Sequence, residues 1–385
     1  MTIGRVLLST ALAALVAAPA AAQSIKLPET LTWTAYDVGS GGYNQAVAIG
    51  NAFKNKLQVN LRVLPGKNDI SRNIPLRDGK VLFSANGVGG SYLAQEGLYE
   101  FGARDWGPQA VRALILNNSD QLLTIVTAKD ANIKTMADLK GKRVAWVVGS
   151  PALNQNVTAL LAFASLTWND VQKVEFGGFG AAMNGLIANQ VDAAFSSSIS
   201  GPVFKLASSP RGLQYPIIPH NDVEGWKRLN RVAPFFLPIK GADGAELSKD
   251  KTVESAGYPY PVLMTMQGTD PDLVYNLTKA MVELFDEYKD GAPGNTGWSL
   301  QRQNFAWAIP THEAAIKYFK ERGVWTATHQ KHNDALTKRQ DVLAAAWKAY
   351  GAKAPADDKE FEKGWMKARA EALTKAGMDV VVSEW

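Results

Sequence analysis

The sequence predicts an α/β protein with two doubly wound lobes and additional helices at its C-terminal end. Short apolar runs rich in β-branched residues alternate with helical segments, which is typical of parallel sheets flanked by helices. The alternation begins a second time after residue 135, so it predicts two sheets instead of one long sheet. A chain of 385 residues is also too long for one typical hydrophobic core.

The alternating part divides into two runs without an obvious sequence repeat between them. In the first run we predict strands at 31–36, 57–64, 81–85, 111–116 and 122–128, and helices at 43–54 and 70–76. In the second run we predict a helical turn at 136–139, strands at 143–148, 174–176 and 191–195, and helices at 154–164 and 181–189.

The remainder of the chain is predicted to be mainly helical. A strand is predicted at 261–267, and helices at 271–286, 336–350 and 357–376. Residues 240–259 and the Gly-rich segment that begins at Gly291 are predicted to be loops. We therefore expect residues 23–120 and 256–385 to form the first lobe, and 121–255 the second.

The first 22 residues are typical of a cleaved secretory signal peptide. A single charged residue, Arg5, precedes an apolar stretch over 6–16, and small residues with an A-x-A pattern follow up to Ala22. A membrane anchor is the alternative, but the apolar stretch falls short of the ~20 residues that a bilayer span needs. The sequence predicts export to the periplasm, with cleavage between Ala22 and Gln23.

The composition excludes several classes of protein. The chain has no cysteine, which excludes disulfides, thiol catalysis, cysteine-ligated metals and a lipid-anchored cysteine. The formal net charge is +5, and the positive residues are scattered among acidic ones. That pattern argues against a nucleic-acid-binding stripe and gives weak support to a preference for anionic small molecules.

Glycine-rich loops follow three of the predicted strands, at 39–43, 87–91 and 149–151. Ligands of open parallel sheets bind at the carboxyl ends of strands, where helix N-termini present free N–H groups. The alternative is that the glycines only make tight turns. Three such loops on corresponding strand ends favour a binding cleft.

No catalytic, cofactor or metal site is predicted. The glycines match neither a phosphate-binding loop, nor a dinucleotide fingerprint, nor a serine-hydrolase elbow. His329 and His332 could share a helix face, but a metal would need further ligands, and solvated histidines are the better interpretation. No nucleophile or proton carrier can be named, so an enzyme is the less favoured class.

Arg72 is the charged residue that we single out as a candidate for ligand binding. It follows another strand-end loop, and its guanidinium could hold a carboxylate through two parallel hydrogen bonds. A surface ion pair with Asp69 or Asp78 is an equal alternative. Four loop-end asparagines could bind ligand hydroxyls or amides, although asparagine is also a common cap residue. They are Asn68, Asn86, Asn154 and Asn156.

Five motifs, taken in order, resemble those of the TAXI (TRAP-associated extracytoplasmic immunogenic) solute receptors of TRAP transporters. They include the glycine loop at 39–43 and the Asp-Leu-Lys-Gly-Lys-Arg-Val run at 138–144. The others are the turn at 166–171, the Val-Asp-Ala-Ala-Phe strand at 191–195 with its following Gly-Pro, and the helix at 273–279. The ordered set is the specific signal, because other periplasmic receptors share the second motif.

The resemblance implies a type II-like periplasmic binding protein with a hinge between its lobes. Such a receptor captures a small solute in the interlobe cleft and delivers it to integral membrane TRAP permease subunits, acting as a monomer. A receptor of an ATP-driven ABC importer is the alternative, and a periplasmic enzyme on the same scaffold is less favoured. The ligand-binding residues that we predict are Ser40, Gly41, Gly42, Tyr43, Asn68, Arg72, Asn86, Gly87, Ser150, Asn154, Asn156 and Ser197.

The departures from the family pattern fall in the predicted cleft. This chain has Gly-Lys-Asn-Asp at 66–69 followed by Arg72, and Gly-Val-Gly at 87–89 where the family often has Gln-Ser-Asp. A lost acidic residue and a gained arginine suggest an organic anion, such as a carboxylate, as the solute. The identity of the solute stays open, because the altered positions are those that carry specificity.

Overall fold

The computed structural model describes residues 24–382, so the predicted signal peptide lies outside the described residues. The strands are β1 Thr30–Ala35, β2 Asn60–Pro65, β3 Phe83–Asn86, β4 Val111–Leu116, β5 Leu123–Ala128, β6 Arg143–Val147, β7 Gln172–Phe176, β8 Ala193–Ser197, β9 Leu213–Gln214, β10 Leu237–Gly241, β11 Val253–Gly257 and β12 Val262–Met266. The helices are α1 Gly41–Leu57, α2 Asp69–Arg77, α3 Ala94–Glu96, α4 Pro151–Phe163, α5 Phe179–Ile187, α6 Gly201–Ala207, α7 Val223–Val232, α8 Pro271–Glu283, α9 Phe285–Tyr288, α10 Glu313–Glu321, α11 Ala327–Gly351 and α12 Asp358–Lys375. In this part of the chain, no helix combines the length and hydrophobicity needed to cross a membrane.

Lobe 1 is built on a five-stranded sheet with the order β2-β1-β3-β12-β4. Strand β1 pairs in parallel with β2 and β3, whereas β12 runs antiparallel to β3 and β4. Helices α1, α8 and α10 supply large side chains to its core. Trp33, Phe53 and Phe83 are among the large side chains buried there, and burial of such apolar area stabilises this lobe.

Lobe 2 is built on a second five-stranded sheet with the order β7-β6-β8-β5-β9. Strand β6 pairs in parallel with β7 and β8, and β5 runs antiparallel to β8. Helix α5 packs its buried Met183 and Leu186 against this sheet. The prediction of two α/β lobes is therefore confirmed.

The prediction of parallel sheets fails for one inserted strand in each lobe. Strands β12 and β5 both lie antiparallel to the strand beside them. Each follows a segment that crosses from the other lobe, so no helical crossover of the β-α-β type fixes its direction. The crossing segments lie at 117–122 and 258–261, and they hydrogen-bond to each other through Tyr260 N–H and Asn117 O at 2.8 Å. Such paired crossings are where a hinge is expected.

The predicted loop at 240–259 is wrong, because β10 and β11 form an antiparallel ribbon there. Their short segments lack a regular polar–apolar alternation, and the pairing that creates them is not visible in a local pattern. Among the described residues, four helices were not predicted, namely α3, α6, α7 and α10. Helix α7 buries Gly225, Trp226 and Leu229 along one face, so its amphipathic pattern is present in the sequence and was overlooked.

The predicted C-terminal helices at 336–350 and 357–376 are confirmed as α11 and α12, and they pack against lobe 1. Helix α11 begins nine residues before the predicted start at 336, after the N-cap Thr326. Its capping box uses His329 instead of the usual Glu or Gln. Helix α12 buries Trp365 completely, and the indole N–H donates to Gly97 O at 2.7 Å. This contact attaches α12 to the turn that follows α3.

Candidate functional site

A small cavity lies between the two lobes, where strand ends and helix N-termini from both sheets meet. Its volume is about 40 Å³, which is room for about three water molecules. The residues that line it are Tyr36, Ser40, Asp69, Arg72, Gly87, Val88, Leu123, Ala152, Leu153, Asn156, Phe179, Phe195, Ser196, Ser197, Ser200, Tyr258 and Tyr260. Hydrogen bonds across the cleft hold the lobes in contact around this cavity, an arrangement that we call closed.

Arg72 enters the cavity from the first turn of α2, which Asn68 caps through its side chain. One guanidinium nitrogen, Nη2, donates to Asp69 Oδ1 at 2.6 Å, and both side chains are almost fully buried. The guanidinium also lies 4.5 Å above the ring of Tyr36. The ion pair with Asp69 therefore exists, but it is buried in the cleft and not on the surface.

Two nitrogens of Arg72 stay unsatisfied. Within the described residues, Nε and Nη1 are buried and have no hydrogen-bond partner. Leaving a buried charged donor without a partner is costly, so natural proteins do so where a ligand or water completes the set. Asn156 shows the same feature, because its Oδ1 is buried without a partner while its Nδ2 donates to Tyr258 OH at 2.7 Å.

Asp69 joins the two lobes across the cavity. Its Oδ2 accepts a hydrogen bond from the Ala152 N–H, in the first turn of α4, at 2.9 Å. Gly89 makes room for it, since a Cβ at that position would lie 2.4 Å from the carboxyl carbon of Asp69. Burial raises the pKa of Asp69, and Arg72 and the Ala152 N–H offset part of that rise.

Three tyrosines surround the ion pair and stay neutral. Burial is the largest cause that raises the pKa of Tyr36, Tyr258 and Tyr260 above the ordinary value for a phenol. The hydroxyls of Tyr36 and Ser150 lie 2.8 Å apart and connect lobe 1 to lobe 2. Neutral phenols can both donate and accept, so these rings supply hydrogen bonds without adding charge.

Five of the predicted ligand-binding residues line the cavity. They are Ser40, Arg72, Gly87, Asn156 and Ser197. They come from both lobes, as a site between lobes requires. Ser197 Oγ donates to Gln121 Oε1 at 2.6 Å, so this hydroxyl is already engaged within the protein.

The other predicted residues lie next to the cavity and have structural contacts. Gly41 and Gly42 start α1 under tight contact, since added Cβ atoms would lie 2.9 Å from Ile199 and 3.0 Å from Tyr260. The backbone N–H of Tyr43 donates to Ser40 Oγ and caps the same helix. These three residues shape the loop and do not line the cavity.

Three of the four predicted asparagines also hold backbone in place and do not line the cavity. Asn86 fixes the turn after β3, because its Oδ1 accepts from the Gly87 and Gly90 N–H groups. Asn154 bonds to both the N–H and the O of Val147. Asn68 Nδ2 donates across the cleft to Val148 O at 3.2 Å.

Sequence reasoning missed the aromatic wall of the cavity, and it considered Asp69 only as a surface partner of Arg72. Asp69 stands three residues before Arg72, a helical spacing at which a carboxylate and a guanidinium can meet. Tyr258 and Tyr260 belong to the second crossing segment, so only the three-dimensional fold brings them to α2. An aromatic pair next to prolines at a lobe boundary could have served as a signal.

Backbone hydrogen bonds between the lobes surround the cavity. The Ile70 N–H donates to Gly149 O at 3.2 Å, and the Phe179 N–H donates to Lys67 O at 3.1 Å. Asp37 of lobe 1 accepts from the Gly180 N–H at the start of α5, at 3.0 Å. The described residues include no group of acidic and histidine side chains arranged to hold a metal ion.

Solved structures of periplasmic receptors resemble the chain distantly. An alkanesulfonate-binding protein from Xanthomonas axonopodis pv. citri, bound to MOPS, is 14% identical over 84% of this chain and 94% of that chain, with a TM-score of 0.45. The aliphatic sulphonate binding protein of Escherichia coli is 14% identical over 92% of this chain and 90% of that chain, with a TM-score of 0.43. At these values the likeness carries no argument about what this chain binds.

A family comparison covers most of the chain. The model of the NMT1-like family matches residues 38–323, which include the residues that line the cavity apart from Tyr36. The match ends before α11, so the two C-terminal helices lie outside it. The chain belongs to the NMT1-like family.

Proposed function

We propose that this protein is a periplasmic solute receptor that captures a small organic anion between its lobes and delivers it to a membrane transporter. The single observation that carries the proposal is the unsatisfied guanidinium of Arg72 inside the closed interlobe cavity. Two buried N–H-bearing nitrogens without partners fit the oxygen atoms of a solute. Asn156 Oδ1 offers a complementary acceptor for a hydroxyl or amide of the same solute.

The two-lobed architecture supports capture by closure. A solute that binds residues of both lobes stabilises the closed form in proportion to its preference for that form. The cavity draws on loops of both lobes, and the paired crossing segments provide a hinge. Aromatic walls with few polar groups are typical of small-molecule sites.

The partner that we propose is the permease of a TRAP-type uptake system. The ordered motifs that resemble TAXI receptors support this assignment. A receptor of an ABC importer is the alternative, because membership of the NMT1-like family does not distinguish the two transporters. The neighbouring genes separate them, since a large multi-span permease favours TRAP and an ATPase favours ABC.

A thermal-shift screen over carboxylates, amino acids and sulfonates tests the function. A solute that binds only the folded state raises the melting temperature. We expect small carboxylates to give the strongest shifts, and a sulfonate or amino acid as the best solute would redirect the class. The absence of any shift across the three classes would contradict the proposal.

Calorimetry with the best solute of the screen tests the role of Arg72. We expect Arg72→Ala to weaken binding by at least about 2 kcal/mol, because the solute loses a buried charged partner. The matched control is Arg77→Ala on the same helix, since Arg77 pairs with Asp78 outside the cavity and should leave affinity unchanged. Unchanged affinity in Arg72→Ala would remove Arg72 from the site.

A further inference from the structure

Two aspartates of lobe 1 reach across the cleft to helix N-termini of lobe 2. Asp37 accepts from the Gly180 N–H, is only half-buried, and has no ion-pair partner in the described part of the chain. Asp69 accepts from the Ala152 N–H, is 1% exposed, and pairs with Arg72. The same kind of contact, an aspartate that accepts from a helix N-terminal N–H, is thus made by Asp37 at the edge of the cleft and by Asp69 inside the cavity.

The surroundings of the Asp69 carboxylate have the parts of an anion site. One oxygen accepts from Arg72 and the other from the first turn of α4, where the helix dipole also favours negative charge. Gly89 leaves the space that the carboxylate fills. The same donors could bind the carboxylate of a solute, but here the carboxylate of Asp69 occupies them.

We propose that Asp69 is an internal occupant of an anion site formed by Arg72 and the N-terminus of α4, that it holds the lobes together, and that an acidic solute must displace it. The displacement rests on the proposed solute-binding function, whereas the holding of the lobes does not.

Charge and space both require displacement. Asp69 already neutralises Arg72, so a second carboxylate beside it would meet a like charge at close range in a buried setting. A cavity of about 40 Å³ is too small for an organic acid next to Asp69. Once the lobes part, Asp69 loses the Ala152 N–H, and a solute can take that donor together with the free nitrogens of Arg72.

Small-angle X-ray scattering of the purified, solute-free protein tests the holding role. We expect Asp69→Ala to increase the radius of gyration relative to the unchanged protein, because the central contact between the lobes is lost. The matched control, Asp37→Ala, removes a contact of the same kind at the rim and should leave the radius unchanged. Equal radii for Asp69→Ala and the unchanged protein would overturn the proposal.

Sodium acetate tests the anion site, because acetate supplies a carboxylate in place of the one that Asp69→Ala deletes. Acetate should raise the melting temperature of Asp69→Ala and return its radius of gyration to the closed value. The unchanged protein and Asp37→Ala should need acetate at about tenfold higher concentration or more, the factor that one charge-assisted hydrogen bond contributes. Sodium chloride at the same ionic strength is the control for salt.

A double variant keeps the test decisive if Asp69→Ala does not fold. Asp69→Ala/Arg72→Leu removes both charges of the buried pair, and we expect it to have open lobes and no response to acetate. A closed double variant, or one that responds to acetate as Asp69→Ala does, would overturn the anion site. A screen that still finds a bound solute would leave the receptor function standing, so the two proposals can fail separately.

Discussion

Two buried clusters of carboxylate and guanidinium lie among residues 24–382, and they differ in how completely their hydrogen-bonding groups have partners. In the cluster at the C-terminal helices, Glu96 accepts from both Arg339 and Arg369, and every nitrogen of the two guanidinium groups has a partner. In the cleft, Asp69 and Arg72 share one hydrogen bond, and two nitrogens of Arg72 have none.

This difference indicates a structural role for the Glu96 cluster and a binding role for the Asp69–Arg72 pair. A closed network of charges positions elements with respect to each other, and Glu96 thereby attaches α11 and α12 to lobe 1. An incomplete network contains buried hydrogen-bonding groups that have no partner in the protein. Such groups are typical of places where a ligand or a water molecule supplies the missing partner. The pKa values agree, because the arginines hold the pKa of Glu96 below its usual range despite burial, whereas burial raises that of Asp69.

The largest expected effect follows from breaking the closed cluster. Glu96→Ala leaves Arg339 and Arg369 buried without their carboxylate, and we expect a loss of about 3–5 kcal/mol in the free energy of unfolding. Urea denaturation measures it. As a control, Glu360→Ala removes an exposed partner of Lys363 on α12 and should leave the unfolding free energy unchanged. A small loss in Glu96→Ala would show that α11 and α12 dock without this network.

The two clusters should also respond to pH with opposite signs. A carboxylate whose folded pKa is lowered, such as Glu96, stabilises the fold above its unfolded pKa of about 4.3, and the stabilisation is lost as pH falls through the folded value. Asp69 has a raised folded pKa, so its contribution is fully present below an unfolded pKa of about 3.9 and is lost as pH rises through the folded value.

Melting temperatures between about pH 3 and pH 7 measure this contrast, because the window extends below and above the ordinary carboxyl pKa values. The advantage of the unchanged protein over Glu96→Gln should shrink toward the acid end. Its advantage over Asp69→Asn should shrink toward the neutral end. Parallel trends for the two variants would mean that Arg72 satisfies Asp69 as fully as the two arginines satisfy Glu96.

The sequence predicts the lobes well because their strands are short apolar runs with clear boundaries. The predicted strand at 111–116 matches β4, and the one at 143–148 matches β6 within one residue. What fails depends on distant pairing, since β10 and β11 become strands only through each other. The antiparallel direction of β12 likewise depends on the chain crossing between the lobes, which no local sequence pattern predicts.

The site is predictable only where strand ends determine it. Ser40, Arg72 and Gly87 follow strands of lobe 1 and were placed near the cleft by that rule alone. Whether Arg72 is free or paired depends on rotamers and on Ala152 from the other lobe, and no spacing encodes that. Tyr258 lies more than 180 residues from Arg72 in the sequence, so the wall that it forms is a property of the assembled lobes.

The smallest expected effect on stability comes from removing the open pair entirely. Asp69→Asn/Arg72→Met keeps an acceptor for the Ala152 N–H and fills the guanidinium volume with an apolar chain. Replacing a buried ion pair in this way is often neutral, so we expect the unfolding free energy to stay within about 1 kcal/mol of the unchanged protein. The melting-temperature shift caused by the best solute of the screen should nevertheless disappear. A loss of unfolding free energy as large as that of Glu96→Ala would contradict the binding role of the pair. It would show that the Asp69–Arg72 pair stabilises the fold as the Glu96 cluster does, whereas a pair that serves binding can be removed without unfolding the protein.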